Sequence, residues 1–194
     1  MQHLTILTGA SRGMGLAMAR QLSVKGAAIL CISRTRSDEL QAWADEQGAS
    51  LSQWSADLAD AAPVADRLRR WLLTQDPASL GSATLINNAG VIGHLGPLGS
   101  GRAQDIALGL RIDLEAPMLL CAAFLAATGD WKLPRKILNI SSGLGRRAMA
   151  GTALYCAAKA GMDHFSRCVA LDEAPHAFGA RIVSLAPGVI DTDM

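Results

Sequence analysis

The chain has 194 residues, of which 50% are apolar, 18% are charged and 19 are glycine. This composition is typical of a compact folded protein and excludes a disordered or fibrous one, and the length suits one hydrophobic core. Lysine and arginine (18) balance aspartate and glutamate (17), which gives a net charge of +1. No basic surplus therefore favours a nucleic acid or an anionic membrane as the partner.

The cysteines indicate a cytoplasmic protein. They are scattered and form no C-x-x-C pair, so we expect reduced thiols without a disulfide or metal role: they are Cys31, Cys121, Cys156 and Cys168. Met1 leads directly into a strand-like segment, so no signal peptide is expected. No apolar stretch is long enough to predict a membrane span.

Short apolar segments alternate with helical patterns along the chain. The strand candidates are, in order, Leu4–Thr8, Ala28–Ile32, Leu51–Trp54, Ala83–Asn87, Lys136–Ile140 and Arg181–Leu185. Ser37 is a candidate N-cap, and Val64, Leu68 and Leu72 form an apolar stripe at helical spacing. The alternation predicts one Rossmann-type α/β domain over residues 1–194, with a doubly wound parallel sheet and helices on both faces.

Polar or conformationally special residues follow every predicted strand. In such sheets, ligands bind beyond the carboxyl ends of the strands. The residues at these ends are Gly9, Arg34, Asp57, Asn88, Ser141, Ser142, Pro187 and Gly188. The sequence therefore predicts a ligand site at this edge of the sheet.

A glycine-rich turn follows the first strand, and a helix is expected from about Leu16. Glycine allows the backbone to approach a phosphate closely, and the helix that follows points free N–H groups at it. The predicted pyrophosphate cradle consists of Gly9, Ser11, Arg12, Gly13, Met14 and Gly15.

The end of the second strand favours NADPH over NADH. An NAD site expects an acidic residue there, but this segment has no carboxylate before Asp38. Arg34, with Arg12, is predicted to bind the 2′-phosphate, whereas Arg36 is interpreted as a solvated surface residue.

Two further segments are candidates for the adenosine end of the cofactor. Asp57 and Leu58 follow the third strand, and Asn88, Ala89 and Gly90 follow the fourth. Asp57 is equally well explained as a residue that caps a loop. For Asn88, a purely structural role, in which it bonds the main chains of adjacent strands, is the alternative.

Ser142, Tyr155 and Lys159 are the candidates for the chemistry. Tyr155 is the only tyrosine, and Lys159 follows it at the spacing that places both side chains on one helix face. A phenol titrates near pH ~10, and the adjacent ammonium is expected to lower that pKa. Ser142 is predicted to donate a hydrogen bond to the oxygen on which charge develops.

Taken together, these motifs resemble the short-chain dehydrogenase/reductase family over essentially the whole chain. They are Thr8-Gly9-x-x-x-Gly13-x-Gly15, Asn88-Ala89-Gly90, Ser142, Tyr155-x-x-x-Lys159 and Pro187-Gly188. Within the family, the segments around Trp131-Lys132 and Tyr155-Cys156 are most similar to bacterial benzil reductases and their sepiapterin-reductase-like relatives.

The resemblance implies further roles. Tyr155 is expected to donate a proton to the substrate carbonyl, and Lys159 to hold the nicotinamide ribose. The carboxamide is expected to bind to the segment after the sixth strand, at Pro187, Gly188, Val189, Ile190 and Thr192. A homodimer or homotetramer is also implied, through the helices that carry Asp113 and Tyr155.

Two features depart from the family pattern. Asp113 stands where the family usually has a catalytic asparagine, so we expect it to take that place in a proton relay, although its charge would alter the lysine. The chain stops at Asp193-Met194, before the substrate-covering segment and last strand of its relatives. We therefore expect the sequence to lack part of a longer protein.

The predicted activity is the reduction of a ketone or 1,2-diketone by NADPH. Reduction of a 3-oxoacyl or other biosynthetic ketone uses the same residues and remains an alternative, as does a non-catalytic NADP(H)-binding sensor or scaffold. No metal site is predicted. Ile92, Leu144, Met149 and Met194 are candidates for an apolar substrate pocket, although simple packing explains them as well.

Overall fold

Six parallel strands form one open sheet in this computed structural model, which describes residues 1–188 and residue 190. The strand order is β3-β2-β1-β4-β5-β6, and every neighbouring pair is parallel. The strands are β1 (Gln2–Thr8), β2 (Ala27–Ser33), β3 (Ser50–Ser55), β4 (Leu80–Asn87), β5 (Arg135–Ile140) and β6 (Arg181–Leu185). The predicted doubly wound α/β fold is confirmed.

Helices connect the strands. They are α1 (Gly13–Leu22), α2 (Asp38–Glu46), α3 (Ala61–Leu72), α4 (Ala103–Leu110), α5 (Ala116–Thr128) and α6 (Ala153–Glu173). A π-helical turn, Arg111–Glu115, joins α4 to α5. None of the helices within the described part of the chain is both long and apolar enough to cross a membrane.

Each predicted strand lies within an observed one, because an apolar β-branched run marks the buried centre of a strand more clearly than its ends. Helix α1 begins at Gly13, earlier than the predicted start near Leu16, so part of the glycine turn is already helical. Ser37 caps α2 as predicted, since its hydroxyl accepts a hydrogen bond from the Leu40 amide at 3.1 Å.

Alternate side chains of the central strands enter two separate cores. Leu30 and Ile32 of β2 pack on one face, in the cluster that contains the predicted stripe of α3 and the apolar side of α5. Ile29 and Cys31 of the same strand point to the other face, against α1 and α2. This alternation buries both faces of the sheet and leaves its strand ends as the open edge.

The ends of β1 and β4 are joined where the strand order reverses. The Thr8 hydroxyl accepts hydrogen bonds from the Asn88 and Ala89 amides, both at 3.0 Å. The Asn88 side-chain amide donates to the carbonyl oxygens of Thr8 at 2.9 Å and Gly9 at 3.2 Å. These bonds hold the glycine turn and the segment after β4 at a fixed separation, with the edge of the sheet open between them.

We predict that Thr8→Val lowers the free energy of unfolding by about 1–3 kcal/mol, because it leaves two amides without their acceptor. Urea denaturation measures this change. Thr5→Val is the matched control: Thr5 is a buried residue of the same strand whose hydroxyl has no hydrogen-bond partner among the described residues. Equal stabilities of the two variants would contradict the prediction.

Candidate active site and cofactor cleft

An open cleft lies at the carboxyl ends of β1, β2, β3 and β4 and encloses about 870 Å³, including its mouth. Every residue predicted for the pyrophosphate and adenosine ends of a cofactor lines it. These residues are Gly9, Ser11, Arg12, Gly13, Met14, Gly15, Arg34, Asp57, Leu58, Asn88, Ala89 and Gly90. The structure thus brings together segments that are far apart in the sequence.

The glycine turn requires glycine at positions 9, 13 and 15. Gly9 and Gly13 have φ angles of +72° and +53°, which L side chains rarely adopt. A Cβ on Gly15 would lie 2.0 Å from the Gly9 carbonyl oxygen and 2.5 Å from the side-chain Nδ2 of Asn88. The backbone therefore packs against itself and leaves its surface free to approach a ligand.

The first turn of α1 faces this cleft with no acidic residue in it and no side chain capping it. Its amide groups, and the positive end of the helix dipole, can therefore receive an anion. Together with the glycine turn, this is the geometry that a dinucleotide pyrophosphate requires, so the residues present fit the nicotinamide cofactor.

The end of β2 presents basic side chains and no carboxylate to the cleft. Ser33 is occupied by the turn, because its hydroxyl accepts a hydrogen bond from the Ala10 amide at 2.8 Å. Arg34 and Arg12 are exposed and line the cleft, whereas Arg36 does not line it. Two exposed guanidinium groups at this point suit a phosphate group on the adenosine ribose.

Asp57 and Asn88 make the structural contacts that the sequence left open as alternatives. Asp57 accepts a hydrogen bond from the Ala59 amide at 2.9 Å and so caps a short 3₁₀ turn. Asn88 bonds the main chain of β1, as described above. Both residues also line the cleft, so these contacts place them at its wall.

Tyr155 and Lys159 lie on one face of α6, beside the end of β5 that carries Ser142. The Lys159 Nζ lies 5.5 Å from the centroid of the Tyr155 ring. Lys159 is only 3% exposed, and its Nζ donates to the Ile140 carbonyl oxygen at 3.1 Å. The Ser142 hydroxyl accepts a hydrogen bond from the Leu144 amide at 3.2 Å. It also lies close enough to the Tyr155 phenol to lower the pKa of that residue.

Asp113 lies in the π-helical turn and reaches the same place. Its Oδ1 is 3.7 Å from the Lys159 Nζ and accepts a hydrogen bond from the Val91 amide at 2.9 Å. A Cβ on Gly90 would lie 2.8 Å from this Oδ1 and 3.4 Å from the Nζ. The carboxylate and the ammonium can therefore meet only because residue 90 has no side chain.

Burial is the largest cause of the pKa shifts of Asp113, Tyr155 and Lys159. Burial lowers the pKa of Lys159 and raises the pKa of Asp113, and their mutual attraction opposes both shifts. Burial also raises the pKa of Tyr155; a hydrogen bond with Ser142 lowers it, and the Asp113 charge raises it further.

The predicted lowering of the Tyr155 pKa by Lys159 is wrong for this structure. The phenolate is penalised first by burial and then by the nearby Asp113 charge, and these outweigh the hydrogen bond with Ser142. The pKa of Tyr155 is consequently raised, and the residue is a neutral phenol at neutral pH.

The segment after β6 does not join the cleft in the described residues. Pro187, Gly188 and Ile190 are described but do not line it, and Gly188 has a φ angle of +83°. Val189 and Thr192, which the sequence also assigned to cofactor binding, lie outside the described residues. The candidate pocket residue Met194 lies outside them too.

Some residues of the site had no sequence signal of their own. Val91 and Ile112 line the cleft from loop and helix positions that look like ordinary packing. Ser33 and Thr8 hold the glycine turn from inside β-strands. Thr8 is the exception, since it belongs to the motif Thr8-Gly9-x-x-x-Gly13-x-Gly15.

The chain is similar in sequence to known oxidoreductases over nearly its whole length. The family model described as short chain dehydrogenase matches residues 3–194. A benzil reductase ((S)-benzoin forming) from Bacillus cereus is 34% identical over 97% of this chain and 76% of its own length. A sepiapterin reductase from Meriones unguiculatus is 32% identical over 97% of this chain and 74% of its own length.

Solved structures agree in fold. A putative NAD(P)-dependent gluconate 5-dehydrogenase from Beutenbergia cavernae, crystallised with NADP bound at low occupancy, superposes with a TM-score of 0.87. It is 26% identical, and the superposition covers 98% of this chain and 74% of that one.

We predict that Asp113→Asn lowers the pKa of Tyr155, because it removes a negative charge that opposes the phenolate. Tyr155 is the only tyrosine, so the ultraviolet absorbance of phenolate during a pH titration reports this residue alone. Asp105→Asn, which changes an aspartate on the neighbouring helix α4, is the control and should leave the midpoint in place. An unchanged midpoint in Asp113→Asn would contradict the prediction.

Proposed function

The chain belongs to the short-chain dehydrogenase family, and from this premise we propose that it reduces a ketone or 1,2-diketone to an alcohol with NADPH. The observation that carries the proposal is the meeting of Tyr155, Lys159 and Ser142 at the sheet edge that also forms the cleft. Benzil reductases of two Bacillus species, at 34% and 30% identity, support a diaryl diketone as the first substrate to test.

NADPH, when bound, supplies the hydride. In our proposal the glycine turn and the first turn of α1 hold the pyrophosphate, and Arg12 and Arg34 bind the 2′-phosphate. The absence of a carboxylate at the end of β2 supports NADPH, and the NADP-bound relative supports a site of this kind. Lys159 would hold the nicotinamide ribose, as the family resemblance implies.

Tyr155 is proposed as the proton donor to the carbonyl oxygen. A raised pKa keeps its phenol protonated at neutral pH, which is the form that a donor needs. The Ser142 hydroxyl, adjacent to the phenol, would donate a hydrogen bond to the same oxygen as negative charge develops there. Lys159 lies between the Tyr155 ring and Asp113 in this chain of contacts, and the lysine and the carboxylate would return a proton to the phenol after turnover.

Three apolar side chains are proposed for the substrate pocket. Ile92 and Leu144 are half-buried, and Met149 is 51% exposed. A flexible methionine and two branched aliphatic side chains would suit a bulky hydrophobic ketone. The same set also suits an alternative apolar ketone, so the substrate class is chosen from the relatives.

A homodimer or homotetramer remains part of the proposal. Leu108 and Leu110 of α4 and Met118 of α5 are exposed, each at about two fifths of its surface. Exposed apolar side chains on adjoining helices favour burial against a second copy. Light scattering would test this directly.

We predict that Tyr155→Phe reduces turnover of benzil with NADPH by about 10²–10⁴-fold, because proton transfer loses its donor. The measurement is the loss of absorbance of the reduced nicotinamide. NADPH affinity should change little, which shows that the variant is folded and loaded. Full activity in the variant would refute the assignment of Tyr155.

We predict that Arg34→Ala weakens NADPH binding by about 10–100-fold, through the loss of a charge-assisted contact, while NADH binding changes little. Calorimetric titration measures both affinities. Arg36→Ala, an exposed arginine two positions away that does not line the cleft, is the control. Equal weakening of both cofactors would count against the 2′-phosphate assignment.

A further inference from the structure

The segment that follows Ser142 lies directly on helix α6. We call residues 143–147 the serine loop. A Cβ on Gly145 would lie 2.9 Å from the carbonyl carbon of Lys159 and 3.2 Å from the Ala160 nitrogen. The loop main chain therefore contacts the main chain of α6 at the residue that carries the ammonium group.

An ion pair closes the same contact. Arg146 of the serine loop donates from its Nε to the Asp163 Oδ2 at 3.2 Å. Asp163 lies one helical turn after Lys159 on α6, and its side chain is 5% exposed, whereas that of Arg146 is 60% exposed. A buried carboxylate is thus paired with a largely exposed arginine of the loop.

Arg146 is one of three side chains that stabilise the Asp163 carboxylate. Its Oδ1 is buried and has no hydrogen-bond partner of normal geometry within the described part of the chain. Burial acts to raise the pKa of Asp163, but the nearby hydroxyls of Ser141 and Ser184 and the Arg146 guanidinium outweigh it and hold the pKa below its usual range. Loss of Arg146 would remove the ion pair of this buried carboxylate and leave the two nearby serine hydroxyls to compensate its charge.

We propose that the Arg146–Asp163 pair and the Gly145 contact form a clamp that holds the serine loop on α6 and so positions Ser142 against Tyr155. Asp163 and Arg146 are positioning residues in this role, because they act on Ser142 and not on the substrate. The part of the proposal that concerns turnover rests on the proposed function; the part that concerns the loop does not.

The chain provides a matched control. Arg135 at the start of β5 pairs with Glu173 at the end of α6, also at 3.2 Å. This pair joins α6 to the first residue of β5, the strand that precedes Ser142, and so lies at the end of the strand away from the serine loop. Glu173→Gln therefore reports the effect of loosening the two elements without releasing the serine loop.

The first arm of the test is hydrogen exchange followed by mass spectrometry. The amides of Gly145, Arg146 and Arg147 donate to the Ser142 and Gly143 carbonyl oxygens. Exchange in this segment should accelerate in Arg146→Gln and Asp163→Asn, and stay as in the wild type in Glu173→Gln. Unchanged exchange in the first two variants would overturn the clamp. Arg146 is largely exposed, so Arg146→Gln carries the test if Asp163→Asn fails to fold.

The second arm is kinetic, with benzil and NADPH as the probes. Both clamp variants should lower kcat by about 10–100-fold, since misplacement of a catalytic group has costs of this order. The KM for NADPH should stay within about twofold, because the serine loop does not line the cleft. Combined with Ser142→Ala, the clamp variants should cause no further loss.

Losses that multiply with those of Ser142→Ala would show that the pair does not act through Ser142, and would overturn the positioning role. If the variants show the expected exchange pattern but the wild-type chain turns over no carbonyl, the proposed function is refuted while the clamp on the loop is supported. The two proposals therefore fail separately.

Discussion

The site depends on how the ends of β1 and β4 are held together. In a parallel sheet whose order reverses at β1, the chain leaves neighbouring strands in opposite directions, and a crevice opens between them. Thr8 and Asn88 supply the hydrogen bonds that keep this crevice at one width. The glycine turn, the first turn of α1 and the segment carrying Gly90 are all positioned from this junction.

The chemistry depends in turn on a buried cation with few partners. Lys159 has the Ile140 carbonyl oxygen and the Asp113 carboxylate in contact, and the Asp163 charge acts on it from the next turn of α6. A buried ammonium needs such compensation, since an unpaired one would lose its proton. The Asp113 charge that compensates the lysine also acts with burial to raise the pKa of Tyr155, so the protonation of the two groups is linked through Asp113.

The sequence predicted the fold, the family and the centre of each strand correctly, because continuous apolar runs and closely spaced glycines are local signals. It also predicted the cleft residues of the glycine turn and of the segments after β2, β3 and β4, but it missed Val91 and Ile112 and included the segment after β6, whose described residues do not line the cleft. It failed on the protonation of Tyr155, since that depends on burial and on a π-helical turn that carries Asp113 inward. The pairing of Arg146 with Asp163 had no sequence pattern, because contacts between a loop and a distant helix turn follow no period.

The glycine positions of the cleft and the arginines at its rim differ in how well they tolerate substitution. Gly9 and Gly15 are surrounded by main chain at distances that admit no side chain, so single changes there must disturb the fold. Arg12 and Arg34 extend into solvent from the rim, where substitutions have little effect on stability. The glycine positions are therefore fixed by the fold, whereas the cofactor preference proposed for the two arginines could change by single mutations at the rim without a large cost in stability.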